Sequence, residues 1–160
     1  MEIVEGVTVT VNGSTVTAKG PSGEVSKYFA PPVKVATKGK EVEVSGPTKM
    51  IINTIYAHLK NMMKGAKEGY KLNLKMIHAH FPITLVQKGA AVEIKNFLGE
   101  KKNRSCTFMG KTKLESKGQD VTISGPDLEH VTQSYANLKR AMKIKDKDGR
   151  VFQDGVYPTN

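Results

Sequence analysis

The chain is 160 residues long, and its 25 Lys and Arg against 15 Asp and Glu leave a net charge of +10, a balance that favours a polyanionic partner, either nucleic acid or an acidic membrane surface. A single cysteine, Cys106, excludes an internal disulfide and any multi-cysteine metal site, and fits a reducing compartment. No apolar run approaches the roughly 20 residues that span a bilayer, and Met1–Glu5 lacks the basic segment and apolar run of a secretory signal, so a soluble cytoplasmic protein is expected.

Val7–Val11 alternates apolar and polar residues and is β-branched, which predicts a strand with one buried face. Asn12-Gly13 turns it into a second strand, Thr15–Lys19, and Gly20-Pro21-Ser22-Gly23 turns that into a third, Val25–Phe29, which Pro31-Pro32 stops. Val33–Thr37 and Glu41–Val44 flank the turn Lys38-Gly39-Lys40. Ser45-Gly46-Pro47 then opens a helix predicted from Thr48 to about Gly65. Proline suits a first helical turn, where its missing N–H costs nothing, and Ile52, Tyr56, Leu59 and Met63 fall on one face as core packing. Gly65 and Gly69 bracket the helix end, and Tyr70–His80 reads as a strand leading onward.

The rest repeats this plan. Lys34–Lys64 and Lys113–Lys143 match without a gap at 13 of 31 positions, including Ser45-Gly46-Pro47 and Ser124-Gly125-Pro126. Strands are expected at Ile83–Val86, Val92–Asn96, Ser105–Met109, Thr112–Ser116 and Val121–Ser124, then a helix from Pro126 to about Lys143 with Val131, Tyr135, Leu138 and Met142 as its core stripe and a capping box in Ser124 and Asp127. Thr15–Glu24 lies on Ala91–Glu100 at a shift of 76 while the later block is shifted by 79, so the second copy has gained three residues between Glu100 and Lys113. Such an insertion belongs in a loop, either as a functional feature or as a lengthened hairpin. The fold class is therefore α+β, a tandem duplication of a small domain with an antiparallel β-sheet packed against one helix, the first repeat over residues 1–80 and the second over 81–160. The tail after Lys143 has two Asp-Gly turns, mixed charge and no periodicity; it suits docking against RNA or packs on its own domain.

Catalytic signatures are missing. Gly110-Lys111-Thr112 ends a phosphate-loop pattern whose leading glycine is replaced by Ser105 and whose following helix is replaced by a strand. His78 and His80 stand at the i, i+2 spacing of strand metal ligands without a third ligand, which makes structural or RNA-facing histidines the simpler expectation, and Cys106 reads as a small apolar residue. No cofactor, metal or small-molecule substrate is expected. Basic residues gather in two places, Lys101, Lys102 and Arg104 around the insertion, and Lys139, Arg140, Lys143, Lys145, Lys147 and Arg150 from the last helix into the tail. Each group could neutralise several phosphates, or could simply be a solvated surface and helix end. Both belong to the second repeat, which is expected to be the main RNA anchor, ahead of Lys38 and Lys40 in the first.

Four segments carry a resemblance. His58–Gly65, His80–Ile83, Val92–Lys101 and Lys145–Tyr157 make the chain similar to the family of the sixth large-subunit ribosomal protein in its archaeal and eukaryotic form; the tail resembles the archaeal type, and the stretch around Gly99–Thr112 differs from the eukaryotic wording, so an archaeal source is expected. The resemblance covers essentially the whole chain. It implies a duplicated α+β protein without enzymatic activity, a structural constituent of the large ribosomal subunit. It further implies binding to large-subunit ribosomal RNA near the stalk base and factor-binding region, mainly through the second domain, with neighbouring ribosomal proteins as partners and the loop Leu98–Lys102 and the tail meeting RNA. A free-standing RNA- or protein-interaction module outside the ribosome is the alternative.

Overall fold

The computed structural model describes every residue except Lys40, His80 and Asn160, and the side chain of Lys38 is likewise not described. The expected run of hairpins is present in each copy. Thr8–Asn12 (β1), Thr15–Gly20 (β2) and Gly23–Tyr28 (β3) form a three-stranded antiparallel meander, with Asn12 opposite Thr15 and Gly20 opposite Gly23. The first turn therefore falls at Gly13-Ser14, where Gly13 takes a φ of 61° that a Cβ would resist. Lys34–Lys38 (β4) and Glu41–Ser45 (β5) make a separate hairpin. Its outer side is joined by the N-terminus: Val42 N–H donates to Met1 O at 2.8 Å, the Met1 ammonium donates to Val42 O at 3.0 Å, and Glu2 bridges to Glu41.

The first helix, Lys49–Glu68 (α1), packs on β2, β3 and β5. Its buried residues include Ile55, Leu59, Met62, Met63 and Ala66, so the apolar stripe is centred one residue-row away from the expected one: Leu59 and Met63 are buried as foreseen, while Ile52 and Tyr56 sit half-buried at its border. Ile55, Leu59, Met62 and Ala66 follow i, i+4, i+7, i+11 and face Val16, Ala18, Val25 and Val42 across the core. Gly69, at φ 74°, ends the helix with its N–H on Gly65 O at 2.9 Å, as the glycine pair suggested.

Tyr70–Ile77 (β6) follows at once. Thr84–Lys88 (β7), Ala91–Lys95 (β8) and Arg104–Thr107 (β9) repeat the meander, and Lys113–Lys117 (β10) with Asp120–Gly125 (β11) repeats the hairpin. The second helix, Leu128–Ala141 (α2), buries Val131, Ser134 and Leu138. The Ser134 hydroxyl accepts the Met109 N–H at 2.9 Å, which satisfies a polar group that stands where α1 has Ile55. The chain closes with Gly155–Pro158 (β12), giving a four-stranded sheet in the order β10-β11-β6-β12.

Three expectations are corrected. The tail is not irregular to its end, because β12 pairs antiparallel with β6, Val156 opposite Met76, and Asp154, Gly155 and Val156 are buried. Ser124 lies inside β11 and the helix opens at Leu128, so Ser124 stands too far from the first turn to cap it, and the residue preceding the helix is Asp127. Pro47 and Pro126 each stand two residues ahead of the first helical residue rather than within the first turn.

The chain forms two compact units, Met1–Tyr70 with Pro126–Leu128, and Lys71–Gly125 with Glu129–Asn160. Their border along the chain falls at Tyr70, ahead of the repeat boundary expected at residue 80, because β6 hydrogen-bonds within the second unit's sheet.

Candidate nucleic-acid interface

The strand register fixes where the extra residues went. Ala18 pairs with Val25 across six intervening residues, and Ile94 with Arg104 across nine, so the three-residue gain lies in the β8–β9 loop that carries Lys101 and Lys102. Arg104 thus occupies the position of Val25, a residue buried in the first unit's core.

That loop is held in one shape. Asn96 and Leu98 adopt left-handed backbone conformations at φ 57° and 52°, followed by Gly99 at 72°, around a short 3-10 turn at Phe97–Gly99. A leucine in that region is strained by roughly 1–3 kcal/mol and persists only where its surroundings over-determine it. Here the surroundings are Phe97, 1 % exposed and locked into the core, the Asn96 amide donating to Pro82 O at 3.1 Å, and the Glu100 N–H on Phe97 O at 3.0 Å.

Arg104 joins the loop to the end of α2. Its guanidinium lies 4.4 Å above the Phe97 ring centroid. Nε donates to Glu100 Oε2 at 2.8 Å and Nη2 to Glu100 Oε1, a bidentate pair, while Nη1 donates to both Ala141 O and Lys143 O at 2.9 Å. Four of its five N–H groups are therefore spent inside the protein. The carbonyl of Ala141, the last residue of α2, which has no partner within the helix, is satisfied by this cation, as is the Lys143 carbonyl just beyond the helix. Hydrogen bonding to Arg104 holds the Glu100 carboxyl below its usual range, with the nearby charge of Lys147 adding to it, and the same pair raises the Arg104 guanidinium.

The sequence-predicted basic residues divide accordingly. Lys101 and Lys102 are exposed on the loop, and Lys139, Arg140, Lys143, Lys145, Lys147 and Arg150 are exposed on α2 and the tail. Among the described residues none of these side chains makes an ion pair or hydrogen bond; Lys147 lies 4.5 Å over the Phe152 ring centroid and within electrostatic reach of Glu100. The structure brings the loop and the helix end together through Arg104, and it leaves Arg104 itself with little to offer a phosphate. Phe97, Glu100 and the Arg104 hub were missed by sequence reasoning. The signal that could have revealed them is a charged residue in the inward phase of β9, where the first copy has valine.

The other candidates have structural employment. The Thr112 hydroxyl donates to Met109 O at 2.6 Å, and the Gln87 side chain bridges Thr112 O and the Leu114 N–H. A Cβ on Gly110 would stand 2.4 Å from the His130 ring, so Gly110-Lys111-Thr112 is a tight turn beneath α2. Burial pushes the Cys106 thiol up to about 11, away from nucleophilic use. Of the histidine pair, His80 lies outside the described residues, and among those described no three His, Cys, Asp or Glu side chains could hold a metal ion. No described helix is long and apolar enough to cross a membrane.

A duplicated α+β scaffold that presents exposed cations from a braced loop and an adjoining helix end defines a class of small, basic, two-repeat proteins. Comparison with known proteins gives the family. The model of the ribosomal protein L6 family matches residues 3–69 and again 81–155, and the chain belongs to that family. It is 42 % identical to the large ribosomal subunit protein uL6 of Methanocella arvoryzae, with all of this chain and 94 % of that protein covered. It is 44 % identical to the corresponding protein of Methanobrevibacter smithii, over 98 % and 92 %, and 40 % identical to that of Staphylothermus marinus, over 98 % and 90 %. The family model matches the chain twice, in keeping with the duplication read from the sequence, and these three relatives are archaeal, as the tail motif implied.

Proposed function

We propose that the chain is a non-enzymatic structural constituent of the large ribosomal subunit, working in the cytoplasm as part of the ribosome. It holds large-subunit ribosomal RNA mainly through its second unit, near the stalk base and factor-binding region and beside neighbouring ribosomal proteins. The family membership supports the ribosomal role. The observation that carries the choice of unit is the Arg104 hub, which fixes the insert loop against the end of α2 so that two groups of free cations act as one surface.

In this reading Lys101 and Lys102 meet phosphates directly, as do Lys139, Arg140, Lys143, Lys145, Lys147 and Arg150, and Arg104 positions them. Phosphate contacts fix the protein's place, while shape and irregular loops select the site, because A-form RNA hides its deep groove from side chains. Binding to a large-subunit RNA fragment, measured over a range of salt, tests the division of labour. Replacing Lys101 and Lys102 by Ala should flatten the slope of log affinity against log salt by roughly 1–2 units. An unchanged slope would remove both from the interface. The alternative of a free-standing module predicts that the protein leaves the large subunit when subunits are sedimented at high salt, whereas a constituent travels with them.

A further inference from the structure

Two aromatic rings meet the insert loop, and they have opposite surroundings. Phe97 is buried beneath the Arg104 guanidinium, whereas Phe81 is 45 % exposed. Phe81 is nonetheless held in place. A Cβ added to Gly99 would stand 3.1, 3.2 and 3.3 Å from Cζ, Cε2 and Cε1 of its ring. Three adjacent ring carbons at nearly one distance put the glycine over a face of the ring, since an approach along the ring plane would leave both Cε atoms appreciably farther away than Cζ. The bare Gly99 backbone, at φ 72°, thus seats one face, and the exposed area lies on the other face and the rim. The segment is fixed from its C-terminal side as well. Pro82 follows directly and restricts the Phe81 backbone, Pro82 O accepts the Asn96 amide at 3.1 Å, and Ile83 is buried.

A chain advances at most about 3.6 Å per residue, so the Cα of Lys101 stands within about 7 Å of that of Gly99, and the Cα of Lys102 within about 11 Å. Both lysines are exposed and, among the described residues, make no ion pair or hydrogen bond. An apolar protein surface laid on the Phe81 ring would have to strip water from these two charges, which is costly without a counter-charge. Single-stranded nucleic acid meets both demands: its phosphates take the cations while a base lies on the ring, and any base serves because each has a π-face. The fixed seat of the ring lowers the cost of ordering it on binding. We propose that Phe81 is a stacking platform for one unpaired base of the bound RNA, with Lys101 and Lys102 on the phosphates next to that base. The inference rests on the RNA-binding reading and adds to its electrostatic contacts one that salt does not screen.

The chain contains no tryptophan, so Phe81→Trp gives the full-length protein a single indole at this position. Single-stranded oligoadenylate, titrated at low salt where binding needs no particular sequence, should quench its fluorescence as a base stacks on it. Inorganic polyphosphate, which engages only the lysines, should leave the emission nearly unchanged. Equal quenching by both, or quenching by neither, would take the base off the ring. Affinity for a transcript of the large-subunit ribosomal RNA gives a second measurement. Phe81→Ala and Phe81→Leu should each weaken binding by roughly 5- to 150-fold, the worth of one stacked base, with the slope of log affinity against log salt unchanged, and Phe81→Tyr should bind like the original. Leucine fills the seat on Gly99 without offering a π-face, so if Phe81→Leu binds as tightly as the unaltered chain, the ring only packs the loop and the proposal falls. Affinity and salt slope indifferent to every Phe81 substitution would leave the RNA-binding reading standing without the platform. Failure of the unaltered chain to bind the transcript would overturn both.

Discussion

The β2–β3 turn of the first unit and the β8–β9 loop of the second solve the same problem with different chemistry. Each finishes the C-terminal end of its unit's helix. In the first, Ser22 reaches α1 directly: its N–H donates to Ala66 O at 2.9 Å and its hydroxyl to Lys67 O at 3.1 Å. Gly20 beside it lies so near that a Cβ would stand 2.5 Å from Ala66 O, and only glycine allows that approach. In the second unit the loop is three residues longer, and Arg104 bridges to Ala141 O and Lys143 O instead. A turn that caps with its own backbone has nothing left to project. A loop that caps through a side chain from its base leaves its crest free, and on that crest stand Lys101 and Lys102. The two copies differ in that the second hands this structural contact to one side chain and leaves its neighbours exposed.

The comparison breaks most readily in the cores. Leu59→Ala and Leu138→Ala replace matched, buried leucines, and each should cost about 2–5 kcal/mol in denaturant unfolding. A loss confined to one of them would end the equivalence of the two helices. At the helix ends the two solutions should separate. Arg104→Ala strips α2 of its terminal partner and should cost about 1–3 kcal/mol, with faster amide exchange over residues 97–103, while the salt slope of RNA binding stays as it was. Ser22→Ala keeps the backbone bond to Ala66 and loses only a hydroxyl bond, about 0.5–1.5 kcal/mol or less at so exposed a site.

The smallest effect is the pH response of the second loop. Glu100 titrates lower in the folded protein than its ordinary 4.5, so its contribution is complete above that value and is lost as pH falls through the lower folded value. Because the pair is largely solvated, the stability change should be slight. The amide signals of the loop should nonetheless move through that window, and Glu100→Gln should abolish the movement while leaving the Ser22 turn untouched.

Most of the scaffold was legible because its signals are periodic. Alternating β-branched residues, turn glycines and the matched Leu59 and Leu138 gave the hairpins, the helices and the duplication. What escaped was set by distant neighbours. Gly155–Pro158 has too few residues to show alternation and becomes a strand only because β6 has an edge to offer. The end of α2 at Ala141, six residues earlier in the repeat than the end of α1 at Glu68, is met by a guanidinium from another strand. The basic clusters were found by counting charge. Counting could not tell that Arg104 serves within the protein while Lys101 and Lys102 face solvent, since that depends on Arg104 taking the inward phase of β9 while the two lysines stand on the loop before it.

The pairing of β6 also decides where this chain can be cut. A protease or a gene split acting at the repeat border near residue 80 would remove the strand that lies between β11 and β12, and β12 would have no neighbour to zip onto. Scission at Gly69 would open only the bend between α1 and β6, and the downstream fragment would carry its full set of strands. In the upstream fragment Met1 and Glu2 already supply the corresponding edge beside Val42.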